Sequence, residues 1–598
     1  VKRVSSSLAL LSCSESRGSD VNLAKLAEMM GVGVVTFEVT DAQAAEDLLA
    51  TVRGQGHRTV AAHSETLARL KCQARQSGSS AASLLEGFEH AFIYGFEESG
   101  RGDLAAWLTD RLLCRPTELD GIAREYSISA SAPEICGQLS GLAFPVDGRA
   151  RGFVTRQPDF LTSRVAGIII AQERPFFAVA RQGDCEVFLL AYPDMLDIDA
   201  GAAPGDVRPE HYASLLPPLM FLRYAFGDYC WKNPTPRATL IIDDPLLRPH
   251  YGFLAFDQLI AEMEAHRFAG TIAFIPWNYR RSSRRVTDML RKHRDRFSIC
   301  VHGCDHTGGE FVSRDEALLR SKARTALCRS RWHEDISGLA CDPVMVFPQG
   351  GFTTTALGAL KAEGYVGAVN TSVFPDGWRP GELTIKDLLD VAVTRYGGFP
   401  LFGRRYPRSL LPFALDLFMG KPALIAEHHE YFRDGYTAVC EFVARMNALD
   451  PLLSWQPLNQ TLIGSALYKR TGQRTARTAF YTDKFALSNP YGEAMTFRIS
   501  KKIGSNDSLK YVLRDGVPLE HRVTANAVEA ELELEPNGHA IIDVVRGNAY
   551  AQTDVTNRLT YKVEVAMRRY LSEFRDNHLA RSPRLVAFSK KLARLMPV

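Results

Sequence analysis

The sequence has no CxxC pair, although it contains eleven cysteines between Cys13 and Cys440. That excludes a zinc ribbon and a thioredoxin-like redox motif. Scattered cysteines in odd number fit a reducing compartment better than a secreted disulfide framework. Long apolar runs are missing as well; nothing approaches the ~18 residues of a transmembrane helix. The LALL stretch near the N-terminus is shorter than a signal-peptide core, and no small-residue cleavage site follows it. A soluble cytoplasmic protein is the expectation. Charge of one sign is scarce too: 71 Lys and Arg face 68 Asp and Glu, a net of +3. Such a small excess leaves no electrostatic footprint for nucleic acid. Residues 1–230 contain neither GxGxxG nor GxxxxGK[ST], so nothing there supports nucleotide binding.

What is there describes a large folded chain. The 598 residues are 46% hydrophobic and 23% charged, a composition of globular domains. At roughly 150 residues per domain, about four units are expected. Residues 1–230 alternate apolar runs with helical patterns: VGVVTFEV as a buried strand, RTVAAH and EHAFIYGF as strands, SETLARLKCQA and DLAAWLTDRLL as helices. This order predicts a parallel α/β layer. VAGIIIAQ, PFFAVARQ and CEVFLLAYPD then follow closely and predict an antiparallel extension. Residues 236–465 carry a second series: TLIIDD, GTIAFIPW, FSICVHG, PVMVFPQ, YVGAVNT, a weaker LLDVAVTRY, and PALIAEH. Seven strands alternating with helices predict a distorted (β/α) barrel. Residues 470–555 change to short alternating runs, the pattern of a mostly antiparallel sheet or sandwich. Residues 556–598 read as a basic helical tail. The fold class is therefore α/β, with the barrel between an α/β layered domain and a β domain that ends in helices.

Polar residues gather where the predicted barrel strands end, the face on which barrels build active sites. Asp243 and Asp244 follow TLII, His302 follows FSICV with His306 four residues later, and Pro348 and Gln349 follow VMVF. Glu427, His428 and His429 follow PALIA. Singly, each is a common loop or turn feature. Together, an aspartate and two histidines are a familiar set for a catalytic divalent ion with open positions. A neighbouring carboxylate then remains to act as base.

The order of IIDDP, HGCDHT, FPQGG, FPDGW and IAEHH resembles that of the polysaccharide deacetylase superfamily, the NodB-homology fold. The resemblance implies a metal-dependent deacetylase that removes acetyl groups from N-acetylated sugars or glycoconjugates. It implies Asp243 as base, Asp244, His302 and His306 as ligands of one divalent metal, zinc being expected, and His428 as the acid, with His429 its rival. Thr307 stands in the usual Ser/Thr position. A backbone N–H near Gln349, beside Pro348, would face the oxyanion. Asp376 and Trp378 match the fourth motif and would shape the acetyl pocket or orient His428; a surface turn with a packed indole is the alternative.

Three positions depart from the superfamily pattern. Val346 stands where an arginine usually orients the catalytic aspartate, Pro245 replaces a glycine, and Gly303 replaces Ser or Thr. A glycan-binding or scaffold protein without turnover, or an amidohydrolase acting on a non-sugar amide, are the competing readings. Arg280, Arg281, Arg284 and Arg285 read as a solvated helix face, and recognition of an anionic sugar is their alternative. In the tail, Leu585, Phe588, Leu592 and Leu595 share a helical face. Packing on a neighbouring domain is preferred there over docking on an anionic membrane.

Overall fold

The structure of the protein, a computed structural model, describes residues 7–14, 17–41, 44–76, 84–96, 114–119, 124–146, 148–155, 165–205, 207–504, 509–547 and 559–579. The helix expected at DLAAWLTDRLL and the tail face from Leu585 to Leu595 lie outside these residues. The chain divides into two compact units. One comprises Val1–Lys232, Thr384–Leu389 and Tyr468–Gln473; the other comprises Asn233–Leu383, Asp390–Leu467 and Arg474–Val598. No described helix is long and apolar enough to cross a membrane.

The first unit is built on a nine-stranded sheet. Its strands are β1 (Ser7–Ser12), β2 (Gly33–Glu38), β3 (Thr59–His63), β4 (His90–Tyr94), β5 (Glu125–Ile128), β6 (Ala143–Pro145), β7 (Val165–Ala171), β8 (Arg174–Gln182) and β9 (Cys185–Leu190). The order is β2-β1-β3-β4-β9-β8-β7-β5-β6. Neighbours from β2 to β9 run parallel, and those from β9 to β6 run antiparallel. The expected parallel layer with an antiparallel extension is present. The LALL stretch is β1, an inner strand with Leu8, Leu10 and Leu11 buried. VGVVTFEV is a strand but not a buried one: β2 is the sheet edge, and most of its residues are half or fully exposed. An apolar run alone does not distinguish an inner strand from an edge strand.

In the second unit, seven parallel strands form the barrel: β10 (Arg237–Asp243), β11 (Gly270–Phe274), β12 (Phe297–His302), β13 (Cys341–Val346), β14 (Gly367–Asn370), β15 (Leu401–Gly403) and β16 (Ala423–His428). They follow one another as β15-β14-β13-β12-β11-β10-β16. The ring closes where the Arg405 N–H donates to the Leu424 carbonyl at 2.9 Å and the Ala426 N–H donates to the Arg405 carbonyl at 2.8 Å. Every strand sends a side chain into one interior cluster: Ile241, Ala273, Cys300, Val344 and Val346, Val369, Phe402, and Leu424. The interior is a packed core, so only the strand ends are left for chemistry. The sixth strand corrects the sequence reading. LLDVAVTRY is the end of the short helix Ile385–Leu389 followed by turns, and the strand is the three-residue β15 beyond it.

After the barrel, Met495–Lys502 pairs antiparallel with Ala527–Leu534 but parallel with Thr475–Phe480. A second sheet pairs His539–Arg546 antiparallel with Lys484–Ser488 and Leu509–Arg514. The helix Leu559–Phe574 packs on the barrel. Arg281 and Glu573 form a part-buried bidentate pair, and the Tyr251 hydroxyl donates to Asp576 Oδ2 at 2.8 Å. Arg281 is therefore not part of a solvated face, as the charge pattern alone had predicted.

At the closing seam, Arg405 donates to Asp416 Oδ2 at 2.8 Å, with the Lys421 ammonium 3.6 Å from Oδ1. Burial works against the Asp416 charge, but Arg405 and Lys421 outweigh it and hold the carboxyl below the usual range. Removing one partner of a buried pair leaves charges uncompensated. Asp416→Ala should therefore cost about 3–5 kcal/mol of stability, measured by denaturant unfolding. A loss below 1 kcal/mol, the ~0–1 kcal/mol of an exposed pair, would show that the seam does not depend on it.

Candidate metal centre at the barrel mouth

Strand parity brings the site together. Ile241 points inward, so Asp243 two residues on does too; Cys300 likewise sets His302, and Leu424 sets His428. Asp243 is 3% exposed, and both its oxygens accept from Arg404, Nη1 to Oδ1 and Nη2 to Oδ2, each at 2.6 Å. Burial opposes its charge. Arg404, His302 and His428 together overcome that and hold the carboxyl below the ordinary aspartate value.

Asp244 has φ 78°, and this turn carries its carboxylate to the histidines. Its Oδ1 lies 3.4 Å from His302 Nε2 and 3.1 Å from His306 Nε2, while Oδ2 is 4.0 Å from His428 Nδ1. His302 Nδ1 is 3.0 Å from the Val346 carbonyl, to which its N–H donates, leaving the Nε2 lone pair directed at Asp244. Asp244 is half-buried, and desolvation of its carboxyl raises the pKa, yet His302 and His306 drive it well below the usual range. His302 is raised, because Asp243 and Asp244 outweigh the effect of its burial.

The residues fit a divalent ion. Asp244 Oδ1 is a buried oxygen without a hydrogen-bond partner. Together with the two Nε2 atoms it supplies three lone pairs within 4.8 Å of one another. Ligand bonds of ~2.0–2.1 Å put neighbouring tetrahedral ligand atoms about 3.3 Å apart, against 3.1 and 3.4 Å here.

The histidine loop is shaped by a residue the sequence did not single out. Glu310 is buried and accepts from the N–H groups of Cys304 (3.1 Å), Asp305 (2.8 Å) and His306 (3.2 Å). Gly303 has φ 67°, and a Cβ there would lie 2.4 Å from Glu310 Oε2. That accounts for glycine in place of Ser or Thr. Asp305, between the histidines, accepts from Arg329 at 2.5 Å and from the Tyr561 hydroxyl at 2.6 Å. The C-terminal helix is thereby tied to the loop that carries His306.

The two late histidines separate. His428 reaches the mouth with its side chain 43% exposed. His429 is buried, stacked on Phe253 and edge-on to Tyr251, with Nε2 3.7 Å from Asp576 Oδ2. Pro348 is buried against Gly303, and Gln349 sits at φ 58° on the surface of the same turn. Asp376 is exposed, with its N–H donating to the Phe352 carbonyl at 2.7 Å, and no hydrogen bond or ion pair joins it to His428. Trp378 is half-buried, edge-on to Phe374. The main residue that sequence reasoning missed is Arg404. It follows β15, the strand the sequence misplaced.

No family model matches the chain, and no curated protein matches it by sequence. Among solved structures it is similar to Agd3, described as a novel carbohydrate deacetylase, at 9% identity and a TM-score of 0.46, covering 91% of this chain and 99% of that one. It is also similar to a family 4 carbohydrate esterase from Streptomyces lividans, at 11% identity and a TM-score of 0.23, over 37% of this chain and 91% of that one. The Bc1960 peptidoglycan N-acetylglucosamine deacetylase matches at 11% identity and a TM-score of 0.24, over 39% and 90%. The order of its motifs resembles that of the polysaccharide deacetylase superfamily.

Glu427 gives the site a pH signature. Burial lifts its carboxyl to about 7, against the opposing pull of the His428 N–H and Arg408. A raised folded pKa means that the native state binds the proton more tightly than the unfolded chain. Stability from this group is complete below the unfolded value of ~4.3 and is lost as pH climbs to about 7. Glu427→Gln, which mimics the neutral acid, should match the native protein in Tm at pH 4 and exceed it at pH 8. Thermal unfolding at the two pH values checks this; a variant less stable at pH 8 contradicts it.

Proposed function

We propose that the protein is a metal-dependent deacetylase that hydrolyses the N-acetyl group of an amino sugar or glycoconjugate. The observation that carries this reading is the pairing of two aspartates in different settings. Asp244 converges with His302 and His306 on one point, while Asp243 beside it is clamped by Arg404. Asp244, His302 and His306 would hold one divalent ion, zinc by preference. When bound, that ion supplies Lewis acidity and open positions for water and an acetyl oxygen.

The chain's own residues do the rest. Asp243, kept ionised, takes a proton from the attacking water as its oxygen bonds to the acetyl carbon. Arg404 fixes the direction of the carboxylate while leaving a lone pair on each oxygen for that water. The Val346 carbonyl fixes the tautomer of His302. His428, the exposed histidine of the mouth, gives a proton to the departing nitrogen as the C–N bond breaks, so that acetate and a free amine result. Val346 was the ground for reading the protein as a binding module without turnover. Arg404 reaches Asp243 from another strand, so that ground no longer favours the second reading.

Acetate release from N-acetylglucosamine oligomers, with and without added zinc, tests the proposal. Asp243→Asn should keep its metal and lose activity by about 10²–10⁴-fold, the range for general acid–base help. Arg404→Ala should lose activity with metal retained, Asp244→Asn should lose metal, and His428→Ala should lose turnover with metal retained. His429→Ala should lower Tm and leave the activity of the folded fraction. No acetate from any zinc-loaded preparation would overturn the activity, and release from acetylated peptides but not saccharides would move the substrate.

A further inference from the structure

A second constellation of ligating side chains lies away from the mouth, between the helices that follow β10 and β16. The helix Phe256–Ala265 carries Glu262, and His266 caps its end one turn on, on the same face. The facing helix Thr437–Leu449 carries Cys440, which is 7% exposed. Glu262 Oε2 lies 3.4 Å from Cys440 Sγ and 3.5 Å from His266 Nε2. The three ligand atoms all fall within 4.8 Å of one another. They open on a groove of 480 Å³ that Gln258, Tyr436 and Thr437 also line, with no Lys or Arg in its lining.

We propose that Cys440, His266 and Glu262 bind a zinc-class divalent cation that clips these two helices together. Two of the three edges of a tetrahedral ligand set, those that meet at Glu262 Oε2, already have the required length. Bonds of ~2.3 Å to sulfur and ~2.0–2.1 Å to nitrogen and oxygen give S···O and N···O edges of about 3.5 and 3.3 Å. A hydrogen-bonded thiol and an i,i+4 surface pair explain each contact singly, but not why both meet at one carboxylate oxygen. Thiolate with imidazole selects zinc over magnesium or calcium. Among the described residues no Lys or Arg lines the groove to neutralise Glu262, and Glu441 adds a further negative charge there. The groove leaves the fourth position to water. The clip joins the helices behind the strands that carry the Asp243–Asp244 pair and His428, so it would stiffen both sides of the mouth without touching the reacting atoms.

Cobalt(II) titration of the metal-free full-length protein reads this site separately. The mouth has no thiolate among its ligands, so a near-ultraviolet sulfur-to-cobalt charge-transfer band that Cys440→Ser abolishes reports the Cys440 site. The native protein should show the band together with one equivalent of cobalt beyond that held at the mouth. Cys440→Ser, checked for folding by circular dichroism, should lose the band and that equivalent. His266→Ala, at a part-exposed position, should shift the titration midpoint at least tenfold. Asp244→Asn should keep the band, so failure at the mouth and failure here are distinguishable. Absence of the band in the native protein, or its survival in Cys440→Ser, overturns the proposal.

Discussion

A buried carboxylate and a buried guanidinium, face to face, are what the rest of the mouth depends on. Asp243 and Arg404 are 3% and 5% exposed, and each would be costly to ionise alone in that place. Joined by two parallel charge-assisted bonds they keep each other ionised. The pair links the end of β10 to the end of β15, strands that are not neighbours in the ring. It also fixes the charge landscape for the histidines. His302 is drawn toward its protonated form by Asp243 and Asp244, which outweigh its burial, and a field that draws a proton to an imidazole draws a divalent cation as well.

Around that pair, the loop Gly303–His306 is held by contacts that run outward to the C-terminal helix. Glu310 gathers three successive N–H groups, and this cradle leaves no room for a Cβ at Gly303. Burial lifts the Glu310 pKa, and Lys322 opposes the lift. Asp305 is pinned between Arg329 and Tyr561. The same helix reaches the β16 loop, where Asp576 stands by His429 and Tyr251. One helix at the end of the chain therefore braces the segments that follow both histidine-bearing strands. In such an arrangement the fold itself fixes the geometry of the candidate ligands.

Much of this was legible in sequence because it repeats. Apolar runs alternating with helical stretches announced the parallel layer and the ring, and inward parity followed from period two. Asp243 and His302 end strands whose apolar runs are unmistakable, and Asp244 and His306 follow them within four residues. What was illegible has a different physical origin. β15 is three residues long, LFG, too short to carry a period, while LLDVAVTRY before it has the β-branched composition of a strand and forms none. Arg404 was hidden by that displacement, since its role comes from standing at a strand end. Glu310, Arg329 and Tyr561 were hidden for another reason: their partners lie across loops and a distant helix, and no local pattern encodes such pairings. Arg281 reads as one cation in a basic run, and only tertiary packing sets it against Glu573.

The two adjacent pairs at the mouth, Asp243–Asp244 and His428–His429, pose one geometric problem and resolve it in opposite ways. In an extended chain neighbouring side chains point to opposite faces. β16 stays extended through His428, at φ −118° and ψ 167°, so His428 faces the mouth while His429 faces Tyr251 and Phe253. β10 instead breaks its extension at once, with Asp244 at φ 78°, a conformation that non-glycine residues adopt only when their surroundings hold them there. That left-handed step lets the second carboxylate reach the histidines although the first already points inward. His306 and Gln349 are held in the same left-handed region, at φ 57° and 58°. Three non-glycine residues of the rim thus carry backbone strain, Asp244 directly after its strand and His306 and Gln349 within four residues of theirs. The barrel supplies rigidity, and the strained steps at its rim aim the candidate ligands.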